Sequence, residues 1–404
     1  MIVAVYKYVG RTKKGMMKKG TIEAANKNQA ISRLVEQGIR PREVTEAKGL
    51  LYREVTLGRP VKHQHFVIYC RQFATLIRAG IPIVKATNIL ARQTESKHLR
   101  KVLLQIEDEL RSGRSFSEAA EKHAKVFPPM FTNMIRAGEA TGSLDETLDR
   151  LAAHFEKQYY TAKKIQSALT YPVSILIIMI FVVVFLMIFI VPRFTDMFRQ
   201  FGAELPPVTK MVMGMSHAVA NYWWIGLLVL LAAAALFGYF MKNSKKFHYG
   251  VHWFLLRMPV FGKLLQKAAI GRTARTLSSL VSSSVPILEA LTITERVAGN
   301  PVIGKVILEA RESLAKGNRL SEPFEKSWVM PPLVTQMIAV GEQSGSLDFM
   351  LGKIADFYEA EVDRTVDTLK SLIEPVMIIL LAGVVGTIVA SIIIPLFSIY
   401  QQVL

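Results

Sequence analysis

Three stretches of the chain, at 172–191, 222–241 and 375–394, carry no Asp, Glu, Lys or Arg over 20 residues each. At about 1.5 Å of rise per residue, a helix of that length crosses a hydrocarbon core of roughly 30 Å. A buried helix in a water-soluble protein keeps a polar stripe over such a distance, so the pattern predicts three transmembrane helices at these positions. Between 62 and 171 the apolar residues recur at helical spacing, and punctuation divides them into six helices. The first runs from Phe66 to Ala79 and stops at Gly80, and Pro82 suits the first turn of the next. A third ends near Ser112-Gly113, a short fourth follows Ser115, and Pro128-Pro129 opens a fifth that reaches Gly138. The sixth starts at Ser143 and runs through Thr170 straight to Tyr171-Pro172.

The pattern changes at the N-terminus. Residues 1–50 read as a small α+β module, with strands at 2–8 and 20–24, a helix at 26–37 and Gly38 as its C′ residue. Lys13, Lys14, Lys18 and Lys19 crowd its hairpin, either as a docking face for acidic headgroups or an acidic partner, or as a solvated turn. A linker follows at 51–61. Residues 192–221 read as an extracytoplasmic loop, 242–374 as a second soluble segment and 395–404 as a short tail.

Much of the chain is written twice. Ala79-Gly80-Ile81-Pro82-Ile83 returns as Ser283-Ser284-Val285-Pro286-Ile287, 204 positions later. At an offset of 203, the run Gly138-Glu139-Ala140-Thr141-Gly142-Ser143-Leu144-Asp145 returns as Gly341-Glu342-Gln343-Ser344-Gly345-Ser346-Leu347-Asp348. Pro172 returns as Pro375 and Pro192 as Pro395 at that same offset. An offset held over more than a hundred residues marks duplication of one structural unit, a soluble bundle followed by a span. The copies differ locally. Ser284 replaces Gly80, so the turn there is expected to change; Glu374 replaces Tyr171; and one residue is missing between Ser321 and Met330. Two copies, each ending in one span, face the same side only if a further span lies between them, and 222–241 supplies it.

Charge orients this arrangement. The net formal charge is +18, and residues 1–171 hold 30 Lys/Arg against 16 Asp/Glu. Near the spans, Lys157, Lys163, Lys164, Lys242, Lys245, Lys246, Arg364 and Lys370 lie on one side, and Arg193, Arg199 and Lys210 on the other. The Lys/Arg excess places the N-terminus and both bundles in the cytoplasm.

Candidate chemistry is sparse. The Gly-Glu-x-[Ser/Thr]-Gly-Ser-Leu-Asp element superficially resembles a phosphate loop, but no Gly-Lys-[Ser/Thr] follows, which argues against nucleotide binding. It reads as a tight helix–helix turn, with Ser143 and Glu146 spaced as a capping box. Phe349 replaces Glu146 in the second copy. Glu139 and Glu342 are not required by such a turn, and an inward ion pair and a partner contact both fit them. Asp145 and Asp149 share a helix face that Glu95 could approach, an oxygen set suited to Ca²⁺ or simply an exposed acidic face. His248 and His252 have zinc-pair spacing without a third ligand, which fits interfacial histidines better. The single cysteine, Cys70, excludes an intrachain disulfide. No cofactor or metal is expected. The spans lack the ionisable residues that transporters place at mid-membrane, which argues against the alternative reading as a transporter or channel subunit.

Together these elements resemble the type II secretion F / type IV pilus inner-membrane platform family, which includes a competence-pilus member. The residues that carry the resemblance are Arg71-Gln72-Phe73-Ala74-Thr75-Leu76-Ile77-Arg78-Ala79-Gly80-Ile81-Pro82, the Gly138-Glu139-x-x-Gly142-x-Leu144-Asp145 element, Tyr171-Pro172 and Val191-Pro192. The duplicate, the spans and the N-terminal module match as well, so the resemblance covers nearly the whole chain. It implies an all-α polytopic protein of the bacterial inner membrane, with two repeated cytoplasmic six-helix bundles, three transmembrane helices and a small α+β module. It implies no catalytic activity. The implied role couples a cytoplasmic hexameric assembly ATPase to pilin or pseudopilin insertion and extraction, alongside other inner-membrane assembly components. A homo-oligomer embedded in the lipid bilayer, with no direct nucleic-acid contact, is expected. Candidate partner-contact or structural positions are Gly138, Glu139, Gly142, Leu144 and Asp145, with Gly341, Glu342, Gly345, Leu347 and Asp348. The span junctions are Tyr171, Pro172 and Pro192, with Glu374, Pro375 and Pro395. A helix from Ser143 to Val191 would measure about 73 Å, with a possible kink at Pro172.

Overall fold

The computed structural model describes residues 4–12, 17–24, 27–36, 38–46, 60–200, 207–259 and 261–403. They form two units, Met1–Pro60 and Val61–Leu404.

In the first unit, β1 (Ala4–Thr12) is the centre of a three-stranded antiparallel sheet. Its neighbours are β2 (Met17–Ala24) and β3 (Ile39–Glu46), and α1 (Lys27–Glu36) links the two. Tyr6 and Tyr8, two apart on one strand, project to the same face and pack on Ala30, Leu34, Ile39 and Val44. Gly38 takes φ 75° and closes α1 as expected. The third strand has no counterpart in the sequence reading. Arg40-Pro41-Arg42-Glu43 looks like a loop, but Pro41 faces Gly10 at a register shift on an edge strand, where the missing N–H is tolerated. Lys13 and Lys14 lie outside the described residues, as does most of the 51–61 linker. Lys18 and Lys19 pair within the sheet with Gly10 and Val9.

The second unit is helical. The first copy comprises α2 (His63–Arg78), α3 (Ile83–Gln93), α4 (Lys97–Arg111), α5 (Phe116–Glu121), α6 (Pro129–Thr141) and α7 (Leu144–Phe185). A π-helical turn (Leu186–Ile190) carries α7 into α8 (Val191–Gln200), and α9 (Pro207–Asn243) and α10 (Lys245–Arg257) follow. The second copy repeats the first as α11 (Phe261–Ser282), α12 (Ile287–Val297), α13 (Pro301–Ala315), α14 (Ser321–Glu325), α15 (Pro332–Ser344) and α16 (Leu347–Val403). Three of these helices, α7, α9 and α16, are long and apolar enough to cross a membrane. Helix extends well beyond the expected span limits. The region 192–221 is helical wherever it is described, and 395–403 continues α16 rather than forming a tail. Helix α10 and the six-residue N-terminal extension of α11 were not expected either. Pro172 does not interrupt α7, and Pro375 does not interrupt α16.

The π-turn has a local cause. Pro192 lacks the N–H that would serve the preceding turn and crowds it, and widening one turn relieves both problems. The hydroxyl of Ser216 on α9 donates to the Met187 carbonyl within that turn. Thr209, also on α9, donates to the Ser391 carbonyl of α16 at 2.9 Å. Met187, Val191, Val212 and Ile388 close an apolar cluster there, which ties the far ends of all three spans together.

The bundles are filled differently. In the first, Phe66, Tyr69, Phe73, Phe116, Phe127 and Phe131 interlock around the centre, for example Phe66 edge-on to Phe155 at 5.0 Å. The equivalent places in the second hold Ile270, Thr273, Leu277, Leu320, Met330 and Val334, and an apolar cavity of about 20 Å³ remains among them. Ring-for-aliphatic exchange removes volume, and the surrounding helices have not closed fully over it.

The Gly80 turn is preserved where a change was expected. Gly80 has φ 75° and Ser284 has φ 60°, the only positive φ at a non-glycine residue among those described. Both turns make the same bonds: Ile81 N–H donates to Leu76 at 3.1 Å, and Val285 N–H to Leu280 at 3.1 Å. The packing of α11 against α12 holds a left-handed serine that is strained by its Cβ. The variant Ser284→Gly is therefore expected to raise stability by about 0.5–1 kcal/mol, the relief of strain less the added chain entropy of glycine. Thermal unfolding of the detergent-solubilised protein measures it, and a lowered melting temperature would refute the strain.

Candidate functional site

The duplicated Gly-Glu element joins α6 to α7 and α15 to α16. Gly142 and Gly345 end α6 and α15 in the left-handed conformation, at φ 70° and 69°. Gly138 and Gly341 serve a different purpose. A Cβ on Gly138 would lie 2.7 Å from Thr147 Oγ1, and one on Gly341 would lie 3.0 Å from the Leu347 Cα. Only glycine lets the two helices approach this closely. Leu144 and Leu347 pack on the bundle cores, and Asp145 and Asp348 sit in the first turns of the long helices, where the positive end of the helix dipole favours a carboxylate.

The two glutamates are internal anions. Glu139 accepts from the N–H groups of Phe116 (2.7 Å) and Ser117 (3.3 Å) and from the Ser117 hydroxyl (2.5 Å). Glu342 accepts from Leu320 N–H (2.6 Å), Ser321 N–H (3.2 Å) and Ser321 Oγ (3.1 Å). Each closes the exposed N-terminal donors of a short helix, α5 or α14, with a charge-assisted pair of bonds. The turn is thereby fastened across its own bundle. The expected capping box does not form. Ser143 makes no cap bond and instead meets the Thr141 hydroxyl at 2.7 Å, while Glu146 points toward Arg150.

A second fastening escaped the sequence reading. Arg71 of α2 donates through Nη1 to Asp149 at 3.0 Å and, through the Nε–Nη2 edge of its guanidinium, to both carboxylate oxygens of Glu156 on α7. Arg275 of α11 grips Glu359 of α16 in the same way, at 3.1 and 2.9 Å. These forks hold the first helix of each bundle against its long helix. Arg71's hydrogen bonds keep the Glu156 carboxyl below the usual carboxylate range, against the effect of burial. The signal was present: Arg71 and Arg275 are 204 apart, and Glu156 and Glu359 are 203 apart.

The structure does not assemble Glu95, Asp145 and Asp149 into a metal-ligating group. Arg71 and Arg78 take Asp149 at 3.0 and 2.5 Å. His248 and His252 lie ring to ring at 4.6 Å on α10. The turn and the span junctions are not brought together either. Tyr171 and Pro172 lie about 40 Å along α7 from Leu144, and Glu374 and Pro375 lie as far along α16 from Leu347. What the arrangement does is mechanical: a turn closed by an anion and a guanidinium fork set the angle at which each bundle holds a helix that continues into a span.

Matches to known proteins follow the same division. The family model described as type II secretion system protein F fits twice, at residues 69–192 and 273–395, and the model for that protein's N-terminal domain fits residues 3–45. The chain belongs to the type II secretion F family. Among its relatives are the type IV pilus assembly proteins PilC of Myxococcus xanthus and Thermus thermophilus. They are 38% and 39% identical over 98% of this chain, covering 95% and 98% of the relatives. The type II secretion system protein F of Vibrio cholerae is 31% identical, with 98% of both chains covered. Each of the two matches spans one bundle together with the span that leaves it.

One buried group lies between the copies. His154 of α7, five turns before the span, is 2% exposed, and its Nε2 meets the Gln158 amide nitrogen at 2.8 Å. Its Nδ1 has no hydrogen-bond partner. Burial, and then Arg275 and Arg272 of α11, lower its pKa to about 3.

Two outcomes follow. Glu139→Ala leaves three donors unanswered and is expected to cost about 1–3 kcal/mol, with Glu342→Ala similar and Glu139→Gln milder. Chemical denaturation in detergent measures the loss, and an unchanged midpoint would remove the anchoring role. The second outcome concerns pH. Between pH 6.5 and about 3 the unfolded chain protonates His154 and the native chain does not, so stability is full above that window and falls as pH drops through it. Replacing His154 by Gln should flatten the stability–pH slope there, by up to about 1.4 kcal/mol per pH unit. Parallel slopes for the two proteins would contradict a neutral buried imidazole.

Proposed function

We propose that this chain is the inner-membrane platform of a type IV pilus or type II secretion machine. In this reading it couples a cytoplasmic assembly ATPase to the insertion and extraction of pilin or pseudopilin subunits. The carrying observation is helix continuity. Helix α7 runs unbroken from the Gly138-Glu139 turn into its span over 42 residues, and α16 does so from the Gly341-Glu342 turn over 57. At 1.5 Å per residue these are rods of about 63 and 85 Å. Each is clamped at the bundle end by its fork and its turn glutamate, so rotation of a bundle is delivered to the membrane end. The flanking Lys/Arg excess supports cytoplasmic bundles at 62–171 and 242–374. With that orientation the ATPase meets the bundles, and the apolar N-terminal helices of pilins meet the spans at 172–191 and 375–394. The protein in this reading supplies no catalytic step and needs no cofactor. The duplicated turns and the span junctions are its working positions.

A flexible Gly-Ser segment inserted between Gln166 and Thr170 uncouples bundle from span without touching either. The variant should reach the membrane at normal abundance yet lose filament assembly or secretion. Assembly at the wild-type rate would show that α7 is no rigid transmitter and leave a passive scaffold as the better reading.

A further inference from the structure

The two copies touch through different faces of the same helix. From α7, His154, Lys157, Lys164 and Ala168 meet the second copy: Lys157 pairs with Glu359 at 3.5 Å, Lys164 with Asp363 at 3.1 Å, and Ala168 joins Leu264 and Val366 in an apolar cluster. Arg150, on the same side, donates to the Ser282 carbonyl of α11. From α16, the answering residues are Glu359, Asp363 and Val366. Subtracting the repeat offset places these at 156, 160 and 163 of α7. At 3.6 residues per turn that set points roughly 110° away from the set α7 itself uses. A two-fold contact would use one face twice. This contact is head-to-tail, so one face of each kind is left over.

Both leftover faces are largely open; Asp367, the counterpart of Lys164, reaches to 4.0 Å from Lys164 and is itself exposed. The second-copy equivalents of His154, Lys157 and Ala168 are Phe357, Ala360 and Ser371, and all three are exposed. Phe357 is 45% exposed, and Phe349, two turns earlier, is 58% exposed. Both precede the span by at least 18 residues, so lipid does not cover them. On the first copy, the groove between α2 and α7 that corresponds to the occupied α11–α16 groove shows Ile68 and Tyr160, at 46% and 65% exposure.

The chemistry of the two leftover faces has changed together. Within the chain, the charges of Arg272 and Arg275 bear on the buried His154. At the leftover pair, His154 becomes Phe357 and Arg272 becomes Ile68, while Arg275 remains as Arg71. A ring would then lie on an isoleucine with a guanidinium beside it, which is apolar contact plus cation–π attraction.

We propose that a second copy of this chain docks the Phe349–Phe357 face of its α16 into the α2–α7 groove of the first, repeating between chains the contact made within one. Helices α7 and α16 run parallel and in step, so this operation keeps every span upright in one bilayer. A head-to-tail contact of this kind closes into a ring when its rotation divides a full turn.

Cross-linking of full-length chains in native membranes tests it. One chain carries Ile68→Cys and one tag, the other Phe357→Cys and a second tag; the native Cys70 is buried and stays. A short bis-maleimide should give a product bearing both tags when the chains are co-expressed, and none from either variant alone. Three results would overturn the proposal: no mixed product, a Phe357→Cys homodimer, or capture of a different protein at position 357. Separately, Phe357→Glu changes an exposed side chain. It should at least halve the mixed product formed when Ile68→Cys chains are paired with Ala360→Cys chains, with helicity unchanged. Undiminished cross-linking there would place the contact elsewhere.

Discussion

In hydrocarbon every backbone N–H and C=O must find its partner inside the segment, and the rest of the second unit follows from that demand. A chain that must leave a water-exposed bundle and enter a bilayer does so with least disruption as one helix. Both copies take this route. The consequence reaches back into the bundles, because a rod of 42 or 57 residues needs a fixed root. Glycines at 138 and 341 let the preceding helix press against that root, and Glu139 and Glu342 fasten the turn to α5 and α14. The Arg71–Glu156 and Arg275–Glu359 forks brace the rod one turn or more farther along. Where the backbone ladder is disturbed, before Pro192, a hydroxyl from the neighbouring span answers the displaced carbonyl.

Much of this was legible in the residues, for identifiable reasons. Charge-free windows report spans because a charge in hydrocarbon is costly whatever the tertiary structure. Helix ends at Gly80 and Gly113 were readable because a left-handed C-terminal residue is a local requirement, whereas α6 runs past the expected stop at Gly138 to Thr141. What was misread depended on distant partners. Glu139 was read as an inward ion pair or a partner contact, because the backbone donors it serves lie 22 and 23 residues earlier. Ser143 and Glu146 had capping-box spacing, but the close approach enforced by Gly138 turned the serine to Thr141. Pro41 hid a strand because only pairing with Gly10 shows that it stands at an edge. Asp149 read as part of an exposed acidic face, and its partners Arg71 and Arg78 come from α2.

The duplicate is informative where it differs. Selection for a fold tolerates exchange of core rings for aliphatic residues as long as the helix axes stay put, and a cavity of about 20 Å³ in the second bundle is the trace of that exchange. The left-handed Ser284 is a similar trace: the turn survived the loss of its glycine because packing outweighs a strain of about 1 kcal/mol. Differences that move in concert across two surfaces have another character. His154 is sealed inside the chain beside the charges of Arg272 and Arg275. Phe357 and Ile68 are apolar side chains displayed outside it. Independent drift toward apolar side chains at matched, water-exposed positions would increase exposed hydrophobic surface with no compensating burial. A head-to-tail join resolves this, because a unit that was duplicated through one pair of unlike faces necessarily ends with one of each unsatisfied. The same geometry that lets copy one seat copy two therefore prepares the chain to seat another chain, with all spans parallel in one membrane.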